Sequence, residues 1–387
     1  MKKTFITFCV FALISACTPP YVAQKSLNDG EKTRSSATKR PKNIILMIGD
    51  GMGLSQITAG MYANNNRLSL EQFTTIGLHK NYPDDPEDGL ITDSAAGATS
   101  FACGVKTYNA AIGVGVDSLP RTTILELAER NGLATGLVAT CNIQHATPAS
   151  FIAHSKNRAL FEDIALDFLK TDIDLFIGGG KTPFDNRKDG RNLLNDFKKK
   201  GYYINDWTQA DLDTLTLPTN QNVGFLTANL QPLMATQGRT YLPIAAEKAC
   251  NFLQTRSEKS GNKGFFAMIE GSQIDWGGHA GDTDYIVGEM ADFDKAILKV
   301  LEFAKKDGNT LVIVTADHET GGFAVLKGSK MGKIIGGFGD PYDEKSKSRY
   351  HTGAMIPVFA FGPGSEAFGG IYENTAIFDK MKMLFGF

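Results

Sequence analysis

From Asn43 to Ile48 the chain is almost wholly apolar and rich in isoleucine, and it then breaks into Gly-Asp-Gly-Met-Gly. A run without polar alternation has no face to give to water. It fits a strand covered on both sides, as in a parallel sheet sandwiched by helices. Leu133 to Ala139, Leu175 to Ile177, Phe265 to Ile269 and Leu311 to Thr315 repeat the pattern. Helical spacing fills the intervals. Thr123 to Arg130 is stopped by Asn131-Gly132, Ile164 to Leu169 is a second segment, and Ile286, Met290, Phe293, Ile297 and Leu301 precede the stop at Asp307-Gly308. Pro357 to Phe361 is a late strand whose proline suits a strand start. Strand and helix in alternation predict an α/β fold with a central, mostly parallel sheet flanked by helices. Residues 181–262 are more polar and less periodic and read as a peripheral excursion. Residues 321–350, rich in glycine, lysine and serine, read as a long surface excursion.

Sheets of this kind bind ligands beyond the carboxyl ends of their strands. Asp50, Glu270 and Asp317 all fall at such ends. Asp275 and His279 follow in E-G-S-Q-I-D-W-G-G-H, His318 follows Asp317, and His351 opens H-T-G. Oxygen and imidazole donors without thiolates suit a catalytic zinc site with an exchangeable position. A spacing of four would put Asp275 and His279 on one helix face, but Gly277-Gly278 favours a loop wrapped round an ion. Glu270 suits a second kind of ion. Carboxylate, hydroxyl and water oxygens fit magnesium, and Thr147 in His145-Ala146-Thr147-Pro148 offers the hydroxyl. Ser94, in T-D-S-A-A-G-A-T-S, opens a helix-like run. It is either an N-cap or a nucleophile at an anion-favouring helix N-terminus, activated by a neighbouring metal.

Formal net charge is −2, and there is no long basic block, which argues against nucleic acid as partner. Besides Cys9 and Cys17 there are Cys103, Cys141 and Cys250. That odd number, without C-x-x-C, argues against a disulfide framework or a thiolate metal cluster but leaves one bridge open. Lys2 and Lys3 precede an apolar stretch, Phe5 to Ile14, too short to span a bilayer. Its end, Leu13-Ile14-Ser15-Ala16-Cys17, resembles a bacterial lipoprotein signal in which Cys17 is lipidated. The alternative is an ordinary secretory signal that contains a cysteine. Either reading predicts export, to the periplasm or to an outer-membrane anchor. Residues 18–40 are polar, with Pro19, Pro20 and Gly30, and read as a tether. The expected organisation is a signal peptide over 1–16, a lipidated tether over 17–40, and a catalytic domain over 41–387.

The ordered runs I-I-L-M-I-G-D-G-M-G, T-D-S-A-A-G-A-T-S, H-A-T-P-A-S-F-I-A-H, E-G-S-Q-I-D-W-G-G-H, T-A-D-H-E-T-G-G and H-T-G resemble the motifs of alkaline phosphatases. The resemblance extends from Ile44 to Gly353, and the His145 and Trp276 variants resemble a compact bacterial branch that includes cold-water marine enzymes. It implies a three-layer sandwich that hydrolyses phosphomonoesters through a phosphoserine, usually as a homodimer, with two zinc ions and one magnesium per subunit. By similarity Asp275, His279 and His351 hold one zinc. Asp50, Asp317 and His318 hold the second, beside the nucleophile Ser94. Asp50, Thr147 and Glu270 hold magnesium, and Arg158 clamps phosphate with its planar fork. Where the enteric form has aspartate and lysine, this chain has His145 and Trp276, so magnesium affinity and phosphate release are expected to differ. His79 and His154 match no ligand role. Sulfatases and diesterases share much of the scaffold, but Asp93-Ser94-Ala95 does not resemble their nucleophile runs.

Overall fold

In the computed structural model, which describes residues 40–86, 89–206, 211–345 and 347–387, alternate residues of the central strands enter two separate cores. The strands are β1 (Asn43–Gly49), β2 (Thr75–Lys80), β3 (Ala134–Asn142), β4 (Leu175–Gly179), β5 (Tyr203–Asn205), β6 (Val223–Leu226) and β7 (Phe265–Gly271). They continue with β8 (Thr310–Thr315), β9 (Glu319–Thr320), β10 (Phe323–Val325), β11 (Gly336–Phe338), β12 (His351–Thr352), β13 (Ile356–Phe361) and β14 (Gly370–Glu373). The helices are α1 (Leu54–Ala63), α2 (Ser94–Cys103), α3 (Ile124–Arg130), α4 (Ala146–Ala149), α5 (Phe161–Asp167) and α6 (Thr182–Asp185). After them come α7 (Leu193–Lys199), α8 (Tyr241–Lys259), α9 (Gln273–Ala280), α10 (Thr283–Asp307) and α11 (Ala376–Phe385).

Ten strands make one sheet in the order β14-β2-β13-β8-β1-β7-β3-β4-β6-β5. Only β13 runs against its neighbours β2 and β8. Ile44, Leu46 and Ile48 of β1 pack on the side that holds α2, α3, α5 and α11, while Ile45 and Met47 pack on the side of α8 and α10. The period of two in the strand thus serves both cores, which is why the β1 run carries no polar face. The result is the expected α/β three-layer arrangement.

Within 181–262 the chain adds β6 and β5 to one edge of the main sheet and supplies the long helix α8, whose Leu242, Ala246 and Leu253 enter a core. Residues 321–350 leave the sheet, form the β10–β11 hairpin and return, and their two ends are joined where β9 pairs antiparallel with β12. Pro357 is the second residue of β13. Cys103, Cys141 and Cys250 are buried and unbridged, so the one disulfide left open does not form. Among the described residues no helix is long and apolar enough to cross a membrane. The signal peptide, Cys17 and nearly all of the tether lie outside the described residues.

Candidate active site

The three central strands β8, β1 and β7 end together. Ile48 lies level with Glu270 on one side and Thr315 on the other, so Asp50, Glu270 and Asp317 emerge from adjacent strands. The loop after β1 is tight. Gly51 has a φ of +74° and its N–H donates to Asp317 Oδ1 at 3.2 Å, while an added Cβ would sit 2.6 Å from the Asp275 Cα. Only glycine allows that approach.

Asp275, His279 and His351 bring one donor atom each within 4.8 Å of one another, and so do Asp50, Asp317 and His318. Asp275 and His279 reach this geometry on helix α9, not on the ion-wrapping loop expected from Gly277-Gly278. The two glycines serve packing instead. A Cβ at Gly277 would meet Ile286 at 2.8 Å, and one at Gly278 would meet Thr320 at 2.8 Å. The loss of helix propensity, about 1 kcal/mol per glycine, is accepted where two segments must nearly touch.

All three histidines are oriented the same way. His351 Nδ1 lies 2.8 Å from the Thr92 carbonyl, His279 Nδ1 faces the Arg349 carbonyl, and His318 Nδ1 lies 3.3 Å from Thr320 Oγ1. A carbonyl can only accept, so Nδ1 of His351 and of His279 donates there, and Nε2 is the atom turned toward the acids. Those Nε2 atoms converge: His279 and His351 are 3.2 Å apart there, and His318 Nε2 is 3.2 Å from Asp317 Oδ2 and 3.6 Å from Asp50 Oδ1.

Ser94 is the first residue of α2 rather than its cap. Asp93 is the N-cap, accepting from Ala96 N at 2.9 Å. Ser94 Oγ lies 3.3 Å from His318 Nε2, and the helix sits close enough that a Cβ on Gly97 would meet Asp317 Cβ at 3.0 Å. Arg158 Nη1 donates to Asp93 Oδ2 at 2.8 Å, which fixes the guanidinium beside the same helix start.

Glu270 Oε2 accepts from Ser272 Oγ at 2.7 Å and Cys141 Sγ at 3.4 Å. His145 precedes α4, which carries Thr147. Its ring stacks near Phe161 and meets the Trp276 ring edge-on at 6.0 Å. His79 and His154 lie elsewhere, bonded to the Ala316 carbonyl and to Glu126 with Gly113.

Four carboxylates meet in this buried place. Burial, reinforced by Asp317, Asp275 and Glu270, holds the Asp50 carboxyl well above its usual range. Burial also raises Glu270 and Asp317. Burial alone would raise Asp275 too, but His279 and His351 outweigh it and hold Asp275 low. Burial keeps His318 low, aided by His351, and pushes His145 down to about 3, aided by Arg158. Both Asp50 carboxylate oxygens, Asp317 Oδ2, Glu270 Oε1 and Thr147 Oγ1 are buried without a hydrogen-bond partner. Such orphaned buried oxygens are costly unless a cation answers them. The donor sets fit that role: two groups of mixed oxygen and imidazole, and one of oxygens alone.

Several residues at this place carried no weight in the sequence reading. Asp93 was legible as a helix cap directly before Ser94. Thr320 stood inside T-A-D-H-E-T-G-G beside the ligands. Ser272 lies only two residues from Glu270, inside a run already singled out. Ser348, whose Oγ lies 2.9 Å from His279 Nδ1, and Arg349 gave no sequence signal, because the fold brings them to His279 from about seventy residues away.

The alkaline phosphatase family model matches residues 41–336. Alkaline phosphatase 3 of Bacillus subtilis is 35% identical, over 92% of this chain and 93% of its own length. Alkaline phosphatase of Escherichia coli is 32% identical, over 91% of this chain and 88% of its own. Among solved structures, the alkaline phosphatase of the Antarctic bacterium TAB5 superposes with a TM-score of 0.81 at 45% identity, covering 90% of this chain and 98% of that one. A variant of the TAB5 enzyme, with a histidine replaced by aspartate and magnesium bound in its M3 site, gives 0.79 at 44% identity, over 90% of this chain and 99% of the variant. With the strand-end acids, the paired histidine clusters and these relatives in agreement, the chain belongs to the alkaline phosphatases, enzymes that hydrolyse phosphomonoesters.

Proposed function

We propose that this enzyme works through a phosphoserine at Ser94, with two zinc ions and one magnesium per subunit. The observation that carries the reading is the position of Ser94 Oγ, at the start of α2 and 3.3 Å from His318 Nε2, beside the second donor set. Asp275, His279 and His351 would hold one zinc, Asp50, Asp317 and His318 the other, and Asp50, Thr147 and Glu270 magnesium. When bound, these ions supply Lewis-acid charge and lower the pKa of hydroxyls and water in the site.

Ser94 Oγ attacks phosphorus opposite the ester oxygen. The new bond is Ser94 Oγ–P, the broken bond is the P–O of the ester, and the alcohol leaves. Water then attacks the phosphoserine from the opposite side, releasing inorganic phosphate and restoring the hydroxyl. The helix N-terminus at Ser94 favours negative charge throughout. Arg158, held by Asp93, presents the rest of its fork to two phosphate oxygens. His145 and Trp276 shape the neighbourhood of Thr147 and set how firmly magnesium and phosphate are held. The histidine-to-aspartate variant of the TAB5 relative, with magnesium in its M3 site, supports attention to such a histidine.

We further propose an exported enzyme with residues 41–387 as one catalytic domain, working as a homodimer. Supporting export are Lys2, Lys3 and the apolar stretch Phe5 to Ile14, and Ser15-Ala16-Cys17 supports lipidation at Cys17.

The test combines metal analysis with phosphoryl trapping. Purified protein should contain two zinc and one magnesium, and chelation should abolish p-nitrophenyl phosphate turnover, restored by both ions together. Acid-quenched enzyme should carry phosphate on Ser94. Undiminished trapping in Ser94→Ala would overturn the assignment.

A further inference from the structure

Thr320 touches both zinc-type donor sets. Its Oγ1 donates to Asp275 Oδ1, a carboxylate oxygen that can only accept. A hydroxyl has one proton, so toward His318 Nδ1, 3.3 Å away, the same oxygen acts as acceptor. That places the His318 proton on Nδ1 and turns the Nε2 lone pair toward Asp317, Asp50 and Ser94. Thr320 also pairs through its backbone with His351 across the β9–β12 ladder, and its carbonyl accepts from Gln56 Nε2 at 3.1 Å. Asp275 and His351 belong to one set and His318 to the other.

We propose that Thr320 is a positioning residue that ties the two metal sites together, holding Asp275 in place and selecting the His318 tautomer with a single hydroxyl. The proposal rests on the reading that both sets bind zinc. The competing role is space-filling, since the Thr320 methyl lies where a Cβ on Gly278 would meet it at 2.8 Å. Valine separates the two roles, because it keeps the methyl and the volume and replaces only the hydroxyl. It would leave Asp275 Oδ1 and His318 Nδ1 short of a partner in a buried place.

Zinc affinity is measured by titration of the metal-free full-length protein against a competing chelator that reports free zinc. Thr320→Val should bind zinc on the order of 10–100-fold more weakly than the parent, the usual loss for partners one step behind a metal ligand. Thr320→Ser should recover most of the affinity. If valine binds as the parent does, or if serine is as weak as valine, the hydroxyl has no such role and the proposal fails. If the parent itself takes up no zinc, the underlying functional reading fails instead. Should Thr320→Val not fold, as judged by melting of the metal-free protein, Thr320→Ala is titrated in its place, with the same two outcomes.

Discussion

Asp93 and Arg158 are joined at 2.8 Å through Oδ2, while the other oxygen of the same carboxylate caps the helix that begins with Ser94. One side chain therefore sets both the proposed nucleophile's helix and the proposed phosphate clamp. Asp93→Ala should lose about 1 kcal/mol of stability from the missing cap. It should also loosen Arg158, so that phosphate inhibits several-fold more weakly. Urea unfolding and product-inhibition assays read the two effects separately.

Gly278 lies against Thr320 where α9 crosses β9. Gly278→Ala inserts a methyl 2.8 Å from both the Thr320 side chain and its carbonyl oxygen. Alanine is the better helix former, but overpacking against backbone should dominate, at about 1–3 kcal/mol. The melting temperature should fall, and bound zinc should fall with it. A more stable variant would mean that helix propensity governs α9.

Trp276 meets the His145 ring edge-on at 6.0 Å and packs against one core of the molecule. Lysine there would bring an ammonium toward the phosphate. A charge pair at about 4 Å is worth about 1 kcal/mol in a water-like medium, roughly five-fold in affinity. Trp276→Lys should therefore lower the phosphate inhibition constant about five-fold, and an unchanged constant would reject the role.

Glu129 sits at the opposite end of the sheet, at the close of α3, with the Thr135 hydroxyl bonded to it. Burial, with help from Asp174 and Asp172, pushes its carboxyl up to about 8. An ordinary glutamate titrates at about 4.3, so the folded protein binds this proton more tightly than the unfolded chain. The contribution to stability is complete below the unfolded value and declines as pH rises towards 8. Unfolding midpoints should drop between pH 5 and pH 9 in the parent and drop less in Glu129→Gln.

Much of this was legible in the chain because burial on both faces leaves a plain mark. β1, β7 and β8 read as strands since their middle residues are apolar on both faces, and the acids at or just past their ends stood out against that background. β5 and β6 were not legible, being three and four residues long at the sheet's edge. The α9 segment was misread for a different reason. Gly277-Gly278 carries a strong local signal for irregular backbone, while the close approach of Ile286 and Thr320 that requires the glycines comes from distant sequence. Ser94 was left between a cap and a first-turn position, since serine and aspartate compete for the cap on equal local terms, and Asp93 takes the cap.

The β9–β12 ladder has a practical corollary for protein engineering. Glu319-Thr320 and His351-Thr352 clip the excursion shut at its base, beside the ligands His318 and His351. With the base held, lengthening the loop adds closure entropy only slowly, about 0.6 kcal/mol for each doubling. The exposed turn around Lys330 and Met331 is thus a place to graft a peptide, a tag or a whole guest domain while the chemistry beneath stays in register.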